Sequence, residues 1–240
     1  MSTPAPSAVE TAGLVKTFGS FKALRGLDLK VAPGETLAVF GPNGAGKTTL
    51  LKILGGVMRP SGGKVLLAGE ELKDSATHLR QLIGLVAHQS YLYSGLSAEE
   101  NLGFYARMYG LPQPAERIQS LLKRVGLAAR RHDRVGTFSR GMQQRLALAR
   151  AILHRPSLLL MDEPDTGLDP QALADLWGIV RSDEEKRTVI FTSHSFARAL
   201  GVCDRVAVLV RGKLAYSEQS CALTLPGLEE TYHACTAACA

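Results

Sequence analysis

The chain has 240 residues, of which 45% are hydrophobic and 21% charged, proportions that are typical of a globular domain and exclude a disordered or fibrous chain. No apolar run approaches the roughly 20 residues of a membrane-spanning helix, and residues 1–8 lack the basic and then apolar pattern of a secretory signal. The net charge of +6 includes one cluster at Arg130, Arg131 and Arg134, which lacks interleaved aromatics and therefore predicts a solvated face rather than a nucleic-acid surface.

The first predicted elements lead up to a glycine-rich loop. Residues 1–8 are rich in Pro, Ser and Ala and are expected to form a disordered tail. Residues 9–16 predict a strand, and the alternation of apolar and polar residues over 27–31 predicts a half-buried antiparallel strand, with Phe18 in the turn between them. The short apolar run 36–40 follows a Pro-Gly pair and predicts a buried strand.

The loop itself, residues 41–48, reads GPNGAGKT and matches the phosphate-binding pattern G-x-x-x-x-G-K-[ST] between a predicted strand and a predicted helix. Its glycines allow successive backbone N–H groups to point at a polyphosphate, and the helix start adds the positive end of its dipole. We expect Lys47 to reach the terminal phosphates and the Thr48 hydroxyl to bind Mg²⁺. A glycine-rich turn without a ligand is the alternative, but the context favours a nucleoside triphosphate. The candidate nucleotide-binding residues here are Gly41, Pro42, Asn43, Gly44, Ala45, Gly46, Lys47, Thr48 and Thr49.

A helical section follows the next short apolar run. Ser97 and Glu100 have the spacing of a capping box at the start of one helix, and a second helix is predicted from near Pro114 to Gly126. Two successive helices without an intervening strand interrupt the alternation of strands and helices. Residues of about 90–155 are therefore predicted to form a helical subdomain inserted into an α/β core.

The alternation then returns, and it brings a pair of acidic residues. The apolar strand 158–162 ends in Asp162 and Glu163, and further strands are predicted at 188–192 and 206–210. Beside a phosphate loop, Asp162 is expected to hold Mg²⁺ and Glu163 to orient and deprotonate the attacking water. The alternative is that the two residues merely end a strand before a loop.

From residue 9 to about 218, the order of these motifs resembles the ATP-binding subunit of ABC transporters. Residues 41–48 match its Walker A motif and Asp162-Glu163 the end of its Walker B motif. The resemblance implies an α/β fold in which a P-loop NTPase core carries an antiparallel β subdomain and an inserted helical subdomain. It implies ATP and Mg²⁺ as ligands, and it leaves residues 219–240 as a C-terminal tail.

The same resemblance assigns roles to single residues. Gln89 takes the place of the Q-loop glutamine, a catalytic residue and Mg²⁺ ligand, and His194 that of the switch histidine, which contacts the γ-phosphate. Phe18 stands where an aromatic stacks on adenine, and Asp169 falls in the D-loop.

Residues 138–145, FSRGMQQR, resemble the ABC signature, although Arg140 replaces the usual glycine. Ser139 and Gly141 are expected to donate hydrogen bonds to the γ-phosphate. The resemblance implies that this surface faces away from its own phosphate loop. ATP would therefore be shared across a homodimer, with Ser139 of one copy meeting the phosphate held by Lys47 of the other.

The segment 86–102 narrows the resemblance to the haem exporter ATPase of bacterial cytochrome c maturation, the CcmA type. This implies an integral membrane permease of the CcmB type as partner, no nucleic acid, and a peripheral position on the cytoplasmic face of the inner membrane. One alternative is the ATPase subunit of a drug, lipid or polysaccharide exporter. A more distant one is an ABC protein that acts on ribosomes or DNA.

The four cysteines do not indicate a disulfide framework, since three of them lie in the last twenty residues, and a reducing compartment fits them better. His233, Cys235 and Cys239 could together bind a metal or haem. Because no C-x-x-C spacing is present, we expect a disordered tail instead.

Overall fold

The structure, a computed structural model, describes residues 6–73, 75–87, 89–165, 168, 170–181 and 186–237. Its strands in this part of the chain form two sheets. The smaller sheet contains β1 (Val9–Phe18), β2 (Phe21–Val31), β4 (Gly62–Leu67) and β5 (Glu70–Glu71). It has the strand order β2-β1-β4-β5 and is antiparallel, which confirms the predicted antiparallel β subdomain.

The larger sheet contains β3 (Thr36–Phe40), β6 (Ile83–Val86), β7 (Leu158–Met161), β8 (Thr188–Thr192), β9 (Arg205–Val210) and β10 (Lys213–Gln219). Its strand order is β10-β9-β3-β8-β7-β6. All neighbours from β9 to β6 are parallel, and only β10 runs antiparallel at one edge. Strands β3, β7 and β8 are buried at every residue, as their mainly apolar sequences predict for the centre of a parallel sheet.

Helices cover both faces of the larger sheet. Because side chains alternate along a strand, Leu37 and Val39 of β3 pack into a core shared with the smaller sheet, whereas Ala38 and Phe40 pack into a second core below the helices that follow β6. The helices are α1 (Lys47–Leu54), α2 (Thr77–Arg80), α3 (Ala98–Met108), α4 (Ala115–Arg124), α5 (Arg140–Ile152), α6 (Pro170–Val180), α7 (Phe196–Leu200) and α8 (Leu225–Ala237).

The predicted helical section corresponds to α3, α4 and α5. The capping box is present, since the Ser97 hydroxyl accepts from the Glu100 N–H and the Glu100 carboxylate accepts from the Ser97 N–H. Asn101, which is fully buried, donates to the carbonyls of Tyr93 and Ser97 and accepts from the Tyr93 N–H. These bonds attach the segment before α3 to the helix itself.

Three expectations about the chain's turns and ends are wrong. Phe18 is the last residue of β1, paired with Phe21, rather than a turn residue. Ala8, placed in the tail, accepts from the Ala68 N–H and donates to the Val31 carbonyl, so the sheet captures it. The rest of the predicted disordered N-terminal tail consists mainly of residues 1–5, which lie outside the described residues.

The disordered C-terminal tail is the third wrong expectation, because α8 occupies most of residues 219–240. Leu228 is fully buried, and the Tyr232 ring packs 5.1 Å from that of Phe196, which in turn lies 4.7 Å from Phe40. Spacings of four residues place Leu228 and Tyr232 on one face of a helix. No cluster of metal-binding side chains occurs among the described residues, and Cys239 lies outside them.

Trp177, the only tryptophan in the chain, lies on α6 and is 8% exposed. Its ring meets that of Phe191, in β8, edge to face at 4.8 Å. Within the described ranges, no helix has both the length and the apolar character needed to cross a bilayer.

Candidate active site

Three groups of predicted site residues lie at one end of the parallel strands of the larger sheet. Strands β3, β8 and β7 are neighbours and parallel, so their carboxyl ends meet there. The glycine loop leaves β3, the acidic pair leaves β7 and His194 leaves β8. The glycine loop is thereby placed beside two segments that follow it by more than 100 residues, at the carboxyl ends of the strands, where α/β sheets bind ligands.

The glycines of the loop are required by its shape. Gly41, Gly44 and Gly46 have φ values of 153°, 79° and 103°, which residues with a Cβ rarely adopt. A Cβ on Gly41 would lie 2.3 Å from the Leu209 carbonyl oxygen, and one on Gly46 would lie 2.6 Å from that of Ala23. The loop therefore packs directly on neighbouring backbone and curls into the N-terminus of α1, a geometry suited to an anion.

Lys47 projects back into the curl of the loop. It is 7% exposed, and its ammonium donates to the carbonyls of Gly41 at 2.6 Å and Pro42 at 3.2 Å. Burial lowers the pKa of Lys47 below its ordinary value, while the negative charges of Glu163 and Asp162 oppose that shift. A cation whose partners inside the loop are neutral carbonyls can exchange them for phosphate oxygens.

The acidic pair is organised by a threonine that the sequence reasoning did not identify as functional. The Thr192 hydroxyl donates to Asp162 Oδ1 at 2.8 Å and accepts from the Glu163 N–H at 2.8 Å. Thr192 is fully buried and Asp162 is 7% exposed. The sequence held one indication of this role, since Thr192 ends a buried strand and lies two residues before His194.

Glu163 and His194 are in direct contact. Glu163 has a φ of 52°, which is unusual for a side chain with a Cβ and typical of strained functional positions. Its Oε1 lies 2.8 Å from His194 Nε2. The carboxylate thus has a hydrogen-bond partner that can fix its direction, and it borders the same cavity as the phosphate loop.

That cavity has a volume of about 200 Å³ and lies between the loop and two aromatic rings. Phe18 and Phe21 are 46% and 55% exposed, and both line it. The sequence reasoning identified Phe18 and missed Phe21, although the two stand on either side of a two-residue turn. Exposed rings beside an anion site provide a surface on which a flat base can stack.

The remaining predicted residues do not line this cavity. Gln89 is exposed just beyond β6, and Ser139 is exposed at the N-cap of α5, where its hydroxyl accepts from the Met142 N–H at 3.3 Å. Gly141 follows on the same helix, next to Leu168. Asp169 lies outside the described residues. The roles of these residues remain predictions.

The oxygen ligands at the site fit Mg²⁺. The Asp162 carboxylate and the Thr48 hydroxyl are hard oxygen donors, the kind that this ion prefers. Thr192 uses its hydroxyl on one carboxylate oxygen of Asp162.

The comparisons with known proteins agree with this geometry. The family model described as ABC transporter matches residues 24–166. An uncharacterised ABC transporter ATP-binding protein of Nostoc sp. is 38% identical, over 95% of this chain and 70% of its own length. A probable multidrug ABC transporter ATP-binding protein of Escherichia coli is 36% identical, over 90% of this chain but only 38% of its own. A linearmycin resistance ATP-binding protein of Bacillus subtilis is 34% identical, over 86% of this chain and 67% of its own.

Solved structures give the same result. The ATP-binding subunit of an ABC transporter superposes with a TM-score of 0.85 and 29% identity, covering 95% of this chain and 99% of that one. A dimeric ATP-binding cassette in a post-hydrolysis state, bound to ADP and Pi, superposes with a TM-score of 0.82 and 27% identity, covering 88% and 98%.

Proposed function

This chain belongs to the ABC transporter family and is an ATPase of that type, and on that premise we propose that it is the ATP-hydrolysing subunit of an exporter of drug-like or lipid-like molecules. The observation that carries the hydrolytic part is the 2.8 Å contact between Glu163 and His194 on the cavity of the phosphate loop. This contact supports the proposal that Glu163 is the base and that His194 orients it beside the terminal phosphate of ATP.

In the proposed reaction, the loop N–H groups and the Lys47 ammonium bind the phosphates of ATP. Glu163 accepts a proton from the water that attacks the γ-phosphate, and His194 holds the Glu163 carboxylate in position. Thr192 fixes both acidic residues through its two hydrogen bonds. Mg²⁺, held by Asp162, Thr48 and Gln89, would supply positive charge beside the β- and γ-phosphates.

We also propose that ATP is shared between two copies. Ser139 and Gly141 lie at the start of α5, the end of a helix that favours an anion, yet neither residue lines the cavity of its own chain. In a symmetric dimer, each copy would offer this helix start to the γ-phosphate held by the other. Two equivalent sites would result.

The partner in the membrane is proposed from an exposed apolar patch on α3 and the segment before it. Tyr93 is 47% exposed and Met108 is 65% exposed, and the Tyr93 ring packs edge to face on Phe104 at 4.9 Å. Aromatic residues and methionine are enriched in protein interfaces. A permease that docks here would place the chain on the cytoplasmic face of a bacterial membrane.

The exported molecule is inferred from the relatives. Two of the three relatives described above carry a multidrug or a linearmycin-resistance name, and a Nod factor export ATP-binding protein of Burkholderia pseudomallei is 40% identical over 78% of this chain. None of these is named for haem or cytochrome c. We therefore favour an exporter of drugs, lipids or related molecules over the haem exporter with a CcmB-type permease.

The catalytic proposal is tested with Glu163→Gln. The variant should bind ATP with wild-type affinity and hydrolyse it about 10²–10⁴-fold more slowly, because it lacks the base. It should also sediment as a dimer in saturating ATP. Glu116→Gln, the same change at an exposed position on α4, is the matched control. A variant with normal turnover, or one that remains monomeric with ATP, would contradict the proposal.

The cargo is tested in a strain that lacks this gene. We expect greater sensitivity to amphipathic drugs with normal levels of c-type cytochromes, and restoration of resistance by the wild-type gene but not by Glu163→Gln. Loss of c-type cytochromes with unchanged drug resistance would instead support haem delivery.

A further inference from the structure

Gln89 lies in a loop that a single side chain holds on both flanks. Arg150, on α5, donates from Nη2 to the carbonyl of Leu85, in the strand that precedes Gln89. Its guanidinium also lies 5.5 Å from the ring of Tyr91, two residues after Gln89, and 5.2 Å from the ring of Tyr105 on α3. These distances are within the range of cation–π attraction. One cation therefore contacts the chain just before and just after Gln89.

The backbone after Gln89 is held in an unfavourable conformation. Tyr91 has a φ of 54°, in the left-handed region that disfavours residues with a Cβ. The Tyr105 hydroxyl donates to the Tyr91 carbonyl. Two residues later, Asn101 pairs with both backbone groups of Tyr93. Such a conformation persists only where its surroundings fix it, so the segment 91–93 is attached firmly to α3.

We propose that Arg150 and Tyr105 are positioning residues for Gln89, and that Arg150 couples Gln89 to Ser139. The coupling rests on the proposed function, in which Gln89 serves the nucleotide of its own chain and Ser139 that of the partner copy. Ser139 caps α5, and Arg150 lies on the same helix eleven residues later, about three turns away. The rigid helix α5 thus carries one proposed nucleotide contact, Ser139, at its start. Near its end it carries Arg150, which holds the loop of the other proposed contact, Gln89.

The buried face of α5 supports this rigidity. Leu146, Leu148 and Ala149 are fully buried, so the helix cannot shift without moving its core neighbours. A displacement at Ser139 would therefore reach Gln89 through the guanidinium. Tyr105 completes the contact, because it holds the carbonyl of the residue on which Arg150 stacks.

Four single variants of the full-length chain and one double variant test the proposal. Tyr105→Phe removes one hydroxyl and keeps the ring, while Arg150→Lys keeps the charge and removes the planar guanidinium. Tyr109→Phe makes the same change as Tyr105→Phe one turn further on, and it keeps the ring that stacks on His154 at 3.9 Å. Gln89→Ala removes the side chain that Arg150 and Tyr105 are proposed to position. The measurements are ATP affinity, the kcat of ATP hydrolysis and Tm.

We expect both Tyr105→Phe and Arg150→Lys to bind ATP within about twofold of wild type. Tyr105→Phe should lower kcat about fivefold, the effect of losing one neutral hydrogen bond. Arg150→Lys should lower kcat at least as much, because it loses a charge-assisted hydrogen bond and the planar contact with two rings. Tyr109→Phe should behave as wild type. Added to Gln89→Ala, Tyr105→Phe should cause no further loss of kcat, since it acts through Gln89. A merely structural role would instead lower Tm and give additive losses.

Two results would overturn the inference while leaving the proposed function intact. The first is a wild-type kcat for both Tyr105→Phe and Arg150→Lys. The second is an additive loss of kcat in the double variant when Gln89→Ala alone also lowers kcat. A wild-type kcat for Gln89→Ala would overturn the inference together with the role of Gln89 in the proposed function.

Discussion

Removal of the Thr192 hydroxyl should release Asp162 and Glu163 from the end of β8. It donates to Asp162 Oδ1 and accepts from the Glu163 N–H, both at 2.8 Å, in a residue with no solvent exposure. Thr192→Val replaces this hydroxyl with a methyl group of similar size. The substitution leaves the packing of β8 unchanged and removes only the two hydrogen bonds.

The expected cost follows from the two bonds. One ends on a carboxylate and contributes about 1.5–3 kcal/mol, and the other is a neutral bond of about 0.5–1.5 kcal/mol. We therefore expect the free energy of unfolding to fall by about 2–4 kcal/mol. Glu163 would also lose the anchor of its backbone, and a displacement of about 1 Å at a catalytic group can lower kcat about 10²-fold.

The assay combines urea denaturation with steady-state ATP hydrolysis. Thr192→Ser, which keeps the hydroxyl and loses only a methyl group, is the control and should retain most of the kcat. If Thr192→Val had wild-type stability and kcat, the threonine would not organise the acidic pair. If Thr192→Ser were as impaired as Thr192→Val, packing rather than hydrogen bonding would be the cause.

Three further substitutions test other parts of the structure. Gly46→Ala should weaken ATP binding about tenfold more than Gly44→Ala, measured by calorimetry, because both have positive φ but only a Cβ at Gly46 would meet backbone, at 2.6 Å; equal effects would contradict the clash. Leu228→Ala should lower the free energy of unfolding by about 2–4 kcal/mol, because Leu228 is fully buried. The control Leu225→Ala should lower it by less than about 0.5 kcal/mol, because Leu225 is 37% exposed. Unchanged stability of Leu228→Ala would show that α8 does not pack on the core. Burial lowers the pKa of His154 from 6.5 to about 4, so the unfolded chain binds a proton before the folded chain does as the pH falls. The free energy of unfolding should therefore decrease by about 2 kcal/mol between pH 7 and pH 5 in the wild type but not in His154→Phe. The same pH dependence in both proteins would assign the effect to other groups.

The parts of the fold that could be predicted are those in which the local sequence is sufficient. Strands β3, β7 and β8 are short runs of mainly apolar residues, and Ser97 with Glu100 marks the start of α3 by its spacing alone. The glycine loop is a fixed pattern whose position between a strand and a helix could be checked in the sequence.

The parts that could not be predicted depend on neighbours that are distant in the chain. β10 has a largely polar sequence at the edge of the sheet and is a strand because it pairs with β9. α8 is rich in small residues, and its apolar face is recognisable only against Phe196. Thr192 acts between two residues 29 and 30 positions away, so its role becomes visible once β7 and β8 are adjacent.

Trp177 gives the site an optical probe that needs no label. It is the only tryptophan in the chain, and it rests on Phe191, the residue directly before Thr192. Intrinsic fluorescence excited at the indole band therefore reports on a single location, the strand end from which the threonine reaches the acidic pair. A change in emission on adding ATP or on substituting Thr192 would record movement of β8 against α6 in the unmodified protein.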